Sequence, residues 1–80
     1  MQGRNHQAQR WRPTNREHYF IILGDGDITK LQWNDTIFDH AVWNFGNCFR
    51  VWQEAEQARD GMKEYFATFH RSMEGQGLPK

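Results

Sequence analysis

The C-terminal third of the chain carries the pattern that most restricts its fold, an apolar stripe at helical spacing. Between residues 52 and 73, apolar side chains recur every three or four positions, and charged or amide side chains lie between them. This spacing predicts an amphipathic helix over residues 53–73, which we expect to lie across one face of a small sheet. The stripe consists of Trp52, Ala55, Ala58, Met62, Tyr65 or Phe66, Phe69 and Met73.

A strand–turn–strand pattern precedes the helix and predicts that sheet. Residues 17–23 are aromatic and β-branched, and both of their alternating faces are apolar. Such a strand is either central in a sheet or covered on both faces. Residues 24–27, with the sequence Gly-Asp-Gly-Asp, supply a tight turn, and residues 28–33 are the natural return strand. Residues 17–33 are therefore expected to form a hairpin.

Two shorter segments complete the predicted fold. Apolar residues recur at helical spacing over residues 36–45, which predicts a short helix or helical turn that Gly46 and Asn47 end. Residues 48–51 are expected to be extended and are a candidate third strand. The predicted class is α+β, with a small antiparallel sheet of two or three strands packed against the long C-terminal amphipathic helix.

Charge is unevenly distributed along the 80 residues, although the net charge is zero. Residues 1–16 contain no acid, whereas residues 17–80 contain all ten acidic side chains. We expect residues 1–12 to be a flexible basic arm, residues 13–74 a single domain and residues 75–80 a frayed tail. The basic segment is either a solvated arm or a contact for phosphate or an acidic partner. Its basic side chains are Arg4, Arg10, Arg12 and Arg16.

The residues give little support for catalysis or for a metal or other cofactor. The four histidines and Cys48 lack the spacings typical of zinc sites, so no metal and no cofactor is expected. Cys48, His40 and Asp39 are one conceivable nucleophile, base and orienting acid, but a lone cysteine is more often a small buried hydrophobe. We predict a protein that is not an enzyme. A single cysteine fits a reducing cytosol, and no apolar run is long enough to cross a bilayer.

Twelve aromatic residues, 15% of the chain, are more than one hairpin under one helix can easily bury. They form either an unusually aromatic core or a core with an exposed surface for self-association or a partner. Under the second interpretation, four aromatic residues contact a partner. Four aspartates form an acidic rim beside them, on the same loop side of the domain. The contacts are Trp11, Trp33, Trp43 and Phe45, and the rim is Asp25, Asp27, Asp35 and Asp39.

The order of the motifs carries a resemblance. Arg-Trp-Arg-Pro at residues 10–13 is followed by the aromatic strand, and a block over residues 46–58 then contains Gly-Asn-Cys-Phe and Glu-Ala-Glu. Over about residues 10–66, this order resembles a group of small proteins found widely in phages and prophages. The chain departs from the group's pattern before the final helix, where Val51 and Trp52 stand in place of a threonine N-cap.

The resemblance implies a mobile-element setting in a host cell cytoplasm and a protein that acts by stoichiometric binding. The leading hypothesis is an accessory protein that binds and inhibits a host or defence protein complex, as an anti-CRISPR protein does. The alternative is a nucleic-acid-binding accessory protein, whose arginine arm tracks phosphates while exposed aromatics stack on bases. A homo-oligomeric subunit is compatible with either hypothesis.

Overall fold

The structure, a computed structural model, describes residues 10–75 as two strands and two helices. Strand β1 spans His18–Ile22, strand β2 spans Ile28–Gln32, helix α1 spans Ile37–Phe45 and helix α2 spans Trp52–Gly75. The predicted α+β class is confirmed, and each of these elements lies where the sequence pattern predicts it. Within residues 10–75, neither helix combines the length and apolarity needed to span a membrane.

Strands β1 and β2 form the predicted antiparallel hairpin. Ile22 pairs with Ile28 next to the turn, and His18 pairs with Gln32 at the open end. Across the turn, the Leu23 N–H donates to the Asp27 carbonyl at 2.7 Å. Gly26 adopts a φ of 91°, a conformation that a residue with a Cβ rarely adopts, which explains why glycine stands there.

The other edge of β1 is closed without a third strand. Phe20 and Phe49 exchange two backbone hydrogen bonds of 2.9 Å as an isolated bridge. The Asn47 side chain accepts a bond from the Ile22 N–H at 2.8 Å and donates one to the Ile22 carbonyl at 2.9 Å. The sheet in the described residues therefore has two strands, and the candidate third strand over residues 48–51 contributes one bridge.

Helix α1 is defined by caps at both ends. The Thr36 hydroxyl accepts a bond from the Asp39 N–H at 3.1 Å, and the Asp39 carboxylate accepts one from the Thr36 N–H at 3.0 Å. These reciprocal bonds are a capping box, which satisfies backbone donors at the helix start. Gly46 ends the helix in the left-handed conformation at φ 102°, as predicted.

Different helices cover the two faces of the hairpin. On one face, Tyr19, Ile21 and Trp33 are buried together, and α1 packs against them. Because successive side chains of a strand alternate in direction, Phe20 points to the other face. There it meets Trp52 of α2 edge-on, with 6.0 Å between ring centroids. Strand β1 is therefore covered on both faces, one of the two arrangements that its apolar sequence predicts.

Helix α2 reaches well beyond the sheet that it covers. Its 24 residues extend about 36 Å, whereas strands of five residues extend about 17 Å. Ala55 is fully buried, and Arg59 reaches the hairpin turn, where it donates to the Gly26 carbonyl at 3.3 Å. Residues 60–72 are all exposed. The expected packing of α2 on the sheet is confirmed for its N-terminal part, and residues 60–75 form an overhang.

Candidate partner-binding site

Three guanidinium groups lie over indole rings on the α1 side of the hairpin. The Arg10 guanidinium lies 3.8 Å from the centroid of the Trp43 ring, and that of Arg12 lies 5.6 Å from the same ring. The Arg50 guanidinium lies 5.9 Å from the centroid of the Trp11 ring. These distances are within the range of a cation–π interaction. We call Arg10, Trp11, Arg12, Trp43 and Arg50 the arginine–tryptophan face.

Hydrogen bonds hold the face together across a long sequence separation. The indole N–H of Trp43 donates to the Trp11 carbonyl at 2.8 Å, and the Arg10 guanidinium donates to the Trp43 carbonyl. Both tryptophans are partly buried against the core cluster of the hairpin. The structure thus places residues 10–12, which the sequence assigns to a flexible arm, against α1. The rings are fixed by the core, and the guanidiniums lie over them.

The face is positively charged, and no carboxylate of the described residues neutralises it. Its three arginines are exposed, and within residues 10–75 none of them forms an ion pair with a carboxylate. Arg16 is also exposed, but the structure shows no ring beneath it, and its backbone N–H donates to the Trp33 carbonyl at 2.7 Å. Arg4 lies outside the described residues. The guanidiniums of the face therefore offer hydrogen-bond donors to carboxylates or phosphates.

Two predicted contacts, Trp33 and Asp39, are buried, so the structure does not expose their side chains to a partner. Each is 3% exposed. Trp33 packs edge-on against Tyr19 and His40, at centroid distances of 5.8 and 5.0 Å. Asp39 accepts bonds from the Tyr19 hydroxyl at 2.5 Å, from the Asn34 N–H at 2.8 Å and from the Thr36 N–H. We call Asp39, Tyr19, Trp33 and these two N–H groups the Asp39 hub.

Hydrogen bonding fixes the charge state of the hub. Burial alone would raise the pKa of Asp39, but the bonds from Tyr19, Thr36 and Asn34 outweigh it and lower the pKa to about 2. Burial, together with the adjacent Asp39 carboxylate, raises the pKa of the Tyr19 hydroxyl well above its ordinary value. At neutral pH, Asp39 is therefore a carboxylate and Tyr19 a neutral donor, which makes the hub a structural unit.

The predicted acidic rim does not exist as one surface. Asp25 and Asp27 lie in the hairpin turn, beyond the Ile22–Ile28 pair. Asp35 follows β2 at the opposite end of the hairpin, where its carboxylate lies 2.6 Å from the His40 ring nitrogen Nε2. The expectation of one loop side is wrong because the length of the strands separates the two ends.

Phe45 is also separated from the tryptophans. It is 86% exposed and lies two positions after Trp43 on α1, a spacing that places side chains on different sides of a helix. Phe45 instead borders a shallow apolar groove with Ile22, Phe49 and Met62. Of the four predicted aromatic contacts, Trp11 and Trp43 therefore remain together on the candidate surface.

The sequence interpretation missed one member of the face, Arg50. Its contact with Trp11 joins residues far apart in the chain, and no local pattern marks it. The alternative hypothesis selects Arg10 and Arg12, whereas the leading hypothesis selects the tryptophans. The structure combines these two sets of residues in one surface.

The residues considered for nucleophilic catalysis have other partners. Burial raises the pKa of the Cys48 thiol to about 11, although Arg10 opposes this change. The His40 ring pairs with Asp35 and the Asp39 carboxylate with Tyr19, and within residues 10–75 no hydrogen bond joins either of them to Cys48. Among residues 10–75, no three His, Cys, Asp or Glu side chains converge into a group that could hold a metal ion.

Comparison of the chain with protein-family models, curated proteins and solved structures finds no match. Function is therefore inferred from the geometry of the arginine–tryptophan face and from the sequence.

Proposed function

We propose that this chain is a non-catalytic binding protein that inhibits a host or defence protein complex, in the manner of an anti-CRISPR protein. The phage or prophage setting of the proposal comes from the sequence resemblance over residues 10–66. The proposed docking surface is the arginine–tryptophan face. One observation carries this choice: three exposed guanidiniums lie over indoles, and within residues 10–75 no carboxylate neutralises them.

The chemistry of the face supports recognition of an acidic protein surface. Arginine and tryptophan are the residue types that most often dominate the binding energy of protein interfaces. Stacking on an indole holds a guanidinium in place, so less side-chain entropy is lost when it binds. A guanidinium binds a carboxylate through two parallel hydrogen bonds. We therefore expect the partner to present carboxylates beside an apolar patch.

The same unneutralised charge supports a second candidate, binding of nucleic acid. Phosphates would then occupy the positions that the first proposal gives to carboxylates. The two candidates differ in salt dependence. Binding that rests on about three phosphate contacts weakens roughly tenfold to a hundredfold between low and moderate salt, because counterions are released. Docking that also buries indole surface is less sensitive to salt.

A charge-matched pair of variants tests the proposal. The test variant is Arg10→Ala/Arg12→Ala/Arg50→Ala, and the control is Lys30→Ala/Lys63→Ala/Arg71→Ala, which removes the same charge from exposed positions elsewhere. Each protein is used to capture partners from bacterial host lysate at low and high salt, with and without nuclease. Each is also expressed in cells that restrict a phage by a CRISPR effector.

We expect the wild-type protein and the control to retain one protein complex at high salt after nuclease treatment, and the test variant to lose it. The phage should form more plaques on cells that express the wild-type protein or the control than on cells that express the test variant. A test variant that captures and inhibits like the wild type would contradict the proposal. Recovery of nuclease-sensitive material alone, lost at high salt, would support the second candidate.

A further inference from the structure

The α2 overhang exposes a row of large apolar side chains that the described chain leaves uncovered. Tyr65, Phe66 and Phe69 are 65%, 51% and 45% exposed, and Met62 is 40% exposed. The rings contact each other along the helix: Tyr65 stacks on Phe69 with centroids 6.5 Å apart, and it meets Phe66 edge-on at 6.0 Å. Contiguous exposed apolar surface of this kind typically marks an interaction site.

Four apolar side chains of α2, those of Met62, Phe66, Phe69 and Met73, have the same order and spacing in both chain directions. From Met62 to Met73 the stripe is Met, three residues, Phe66, two residues, Phe69, three residues, Met. Spacings that alternate between four and three are those of a coiled-coil seam. A seam with the same order of side chains in both directions can pack against a second copy of itself in an antiparallel arrangement.

We propose that the overhang pairs antiparallel with the overhang of a second copy, which makes the protein a homodimer. A two-fold interface uses the same patch on both chains, so that each contact occurs twice. With the axis between Ala67 and Thr68, Met62 faces Met73 of the second copy and Phe66 faces its Phe69. Every seam position then meets a side chain of its own class.

The surface beside the overhang fits this arrangement. Leu23, Met62 and Phe66 border an open groove next to the hairpin turn, and Leu23 is 42% exposed. In the antiparallel pair, Met73 of the second copy lies at this groove. Antiparallel helices also place opposite dipole ends together, and the zero net charge of the chain adds no long-range repulsion.

The available area suits a reversible dimer. About half of each aromatic side chain and part of each methionine and of Leu23 give roughly 500 Å² per copy. The total of about 1,000 Å² is at the lower limit of specific interfaces. The dimer should therefore dissociate on dilution, and it would carry two copies of the arginine–tryptophan face.

Sedimentation analysis from about 1 μM to about 1 mM tests the dimer, because small interfaces dissociate over this range. We expect the wild-type mass to change from monomer to dimer, and Phe66→Glu/Phe69→Glu to weaken association at least tenfold. Phe45→Glu is the control, since Phe45 is exposed but lies off the stripe. A monomeric wild type, or association that survives the double change, would overturn the proposal. Loss of association in Phe45→Glu, with its helical signal intact, would also contradict the stripe assignment.

Disulfide trapping tests the antiparallel register in a Cys48→Ser background. Chains with Met62→Cys, mixed with chains with Met73→Cys, should form a cross-linked pair under mild oxidation, because the two positions face each other. Met62→Cys alone should not cross-link to itself. Self-linking of Met62→Cys without mixed linking would overturn the proposed register. The Arg10→Ala/Arg12→Ala/Arg50→Ala variant should still dimerise, which separates this proposal from the proposed function.

Discussion

The Asp39 hub and the α2 overhang contain similar aromatic residues in opposite situations. In the hub, Tyr19 and Trp33 are buried, and the carboxylate of Asp39 binds the Tyr19 hydroxyl. In the overhang, Tyr65 and Phe69 stack on each other but remain exposed. The difference arises from element length. The two strands are shorter than α2, so the C-terminal part of α2 has no sheet to pack against. Aromatic content alone therefore does not distinguish core from interface in this chain; the lengths of the packed elements do.

The largest difference between the two regions should appear when the hub loses its carboxylate. Asp39→Ala leaves the Tyr19 hydroxyl and the N–H groups of Asn34 and Thr36 without their acceptor. We expect a loss of about 3–5 kcal/mol in the free energy of unfolding, measured by urea denaturation. A chain of this size has about 4–12 kcal/mol in total, so the variant should be partly unfolded.

Asp60→Ala is the matched control for this change. Its carboxylate is exposed on α2 and pairs with Arg59 at the surface, so the free energy of unfolding should change by less than about 1 kcal/mol. Equal losses in the free energy of unfolding for the two variants would show that the hub carboxylate stabilises the fold no more than a surface carboxylate does.

Acid should weaken the hub while leaving the overhang unaffected. The pKa of Asp39 is lowered from 3.8 to about 2, so its ionised form contributes stability above about pH 4, and this contribution is lost as the pH falls towards 2. The shift corresponds to about 2 kcal/mol in the free energy of unfolding. Urea denaturation at a series of pH values measures the loss. Asp39→Asn should lack this part of the pH dependence, and identical profiles would assign acid sensitivity to other carboxylates.

A smaller loss of stability should follow when the core stays intact but the second edge of β1 loses its side-chain hydrogen bonds. Asn47→Ala removes the two bonds that its amide forms with the Ile22 backbone. We expect a loss of about 1–2 kcal/mol and faster hydrogen exchange of the Ile22 amide. Asn44→Ala, an exposed change on α1, is the control. Unchanged exchange at Ile22 in Asn47→Ala would contradict the role of the amide.

The smallest effect is expected in the overhang. Phe69→Ala should change the free energy of unfolding by less than about 0.5 kcal/mol when denaturation is measured in dilute, monomeric protein. The ring is exposed, and the described chain packs no core around it. At concentrations where the proposed dimer forms, the same change should lower the melting temperature. A large loss in dilute protein would show that the overhang packs within its own chain.

Local chemistry is enough to predict most of the fold. The apolar strand, the glycine turn and the return strand specify the hairpin because each rests on the preferences of a few adjacent residues. Gly46 is recognisable as a helix end, since a left-handed residue there favours glycine. The stripe from Trp52 to Met73 predicts α2 within two residues at either end.

The site was harder to predict because it depends on contacts between distant residues. Nothing local separates Trp33, which is buried, from Trp43, which is only partly buried and lies beneath the Arg10 guanidinium. In the sequence Asp39 resembles a surface acid, because its contact with the Tyr19 hydroxyl is visible only in the structure. The overhang, by contrast, follows from arithmetic on the sequence patterns, since the predicted helix over residues 53–73 extends about 32 Å and the predicted strand over residues 17–23 about 23 Å.

The bonding of β1 on both edges has a consequence for the order of events during synthesis. The first edge pairs with β2 across a short turn, which closes within microseconds. The second edge waits for Asn47, 25 residues after Ile22, and for Phe49. Until these residues leave the ribosome, the nascent hairpin keeps an open edge, the kind of edge on which another chain can add a strand. Slow translation after the hairpin has left the ribosome, but before Asn47 and Phe49 have left it, should therefore lengthen this exposure and increase aggregation of newly made protein.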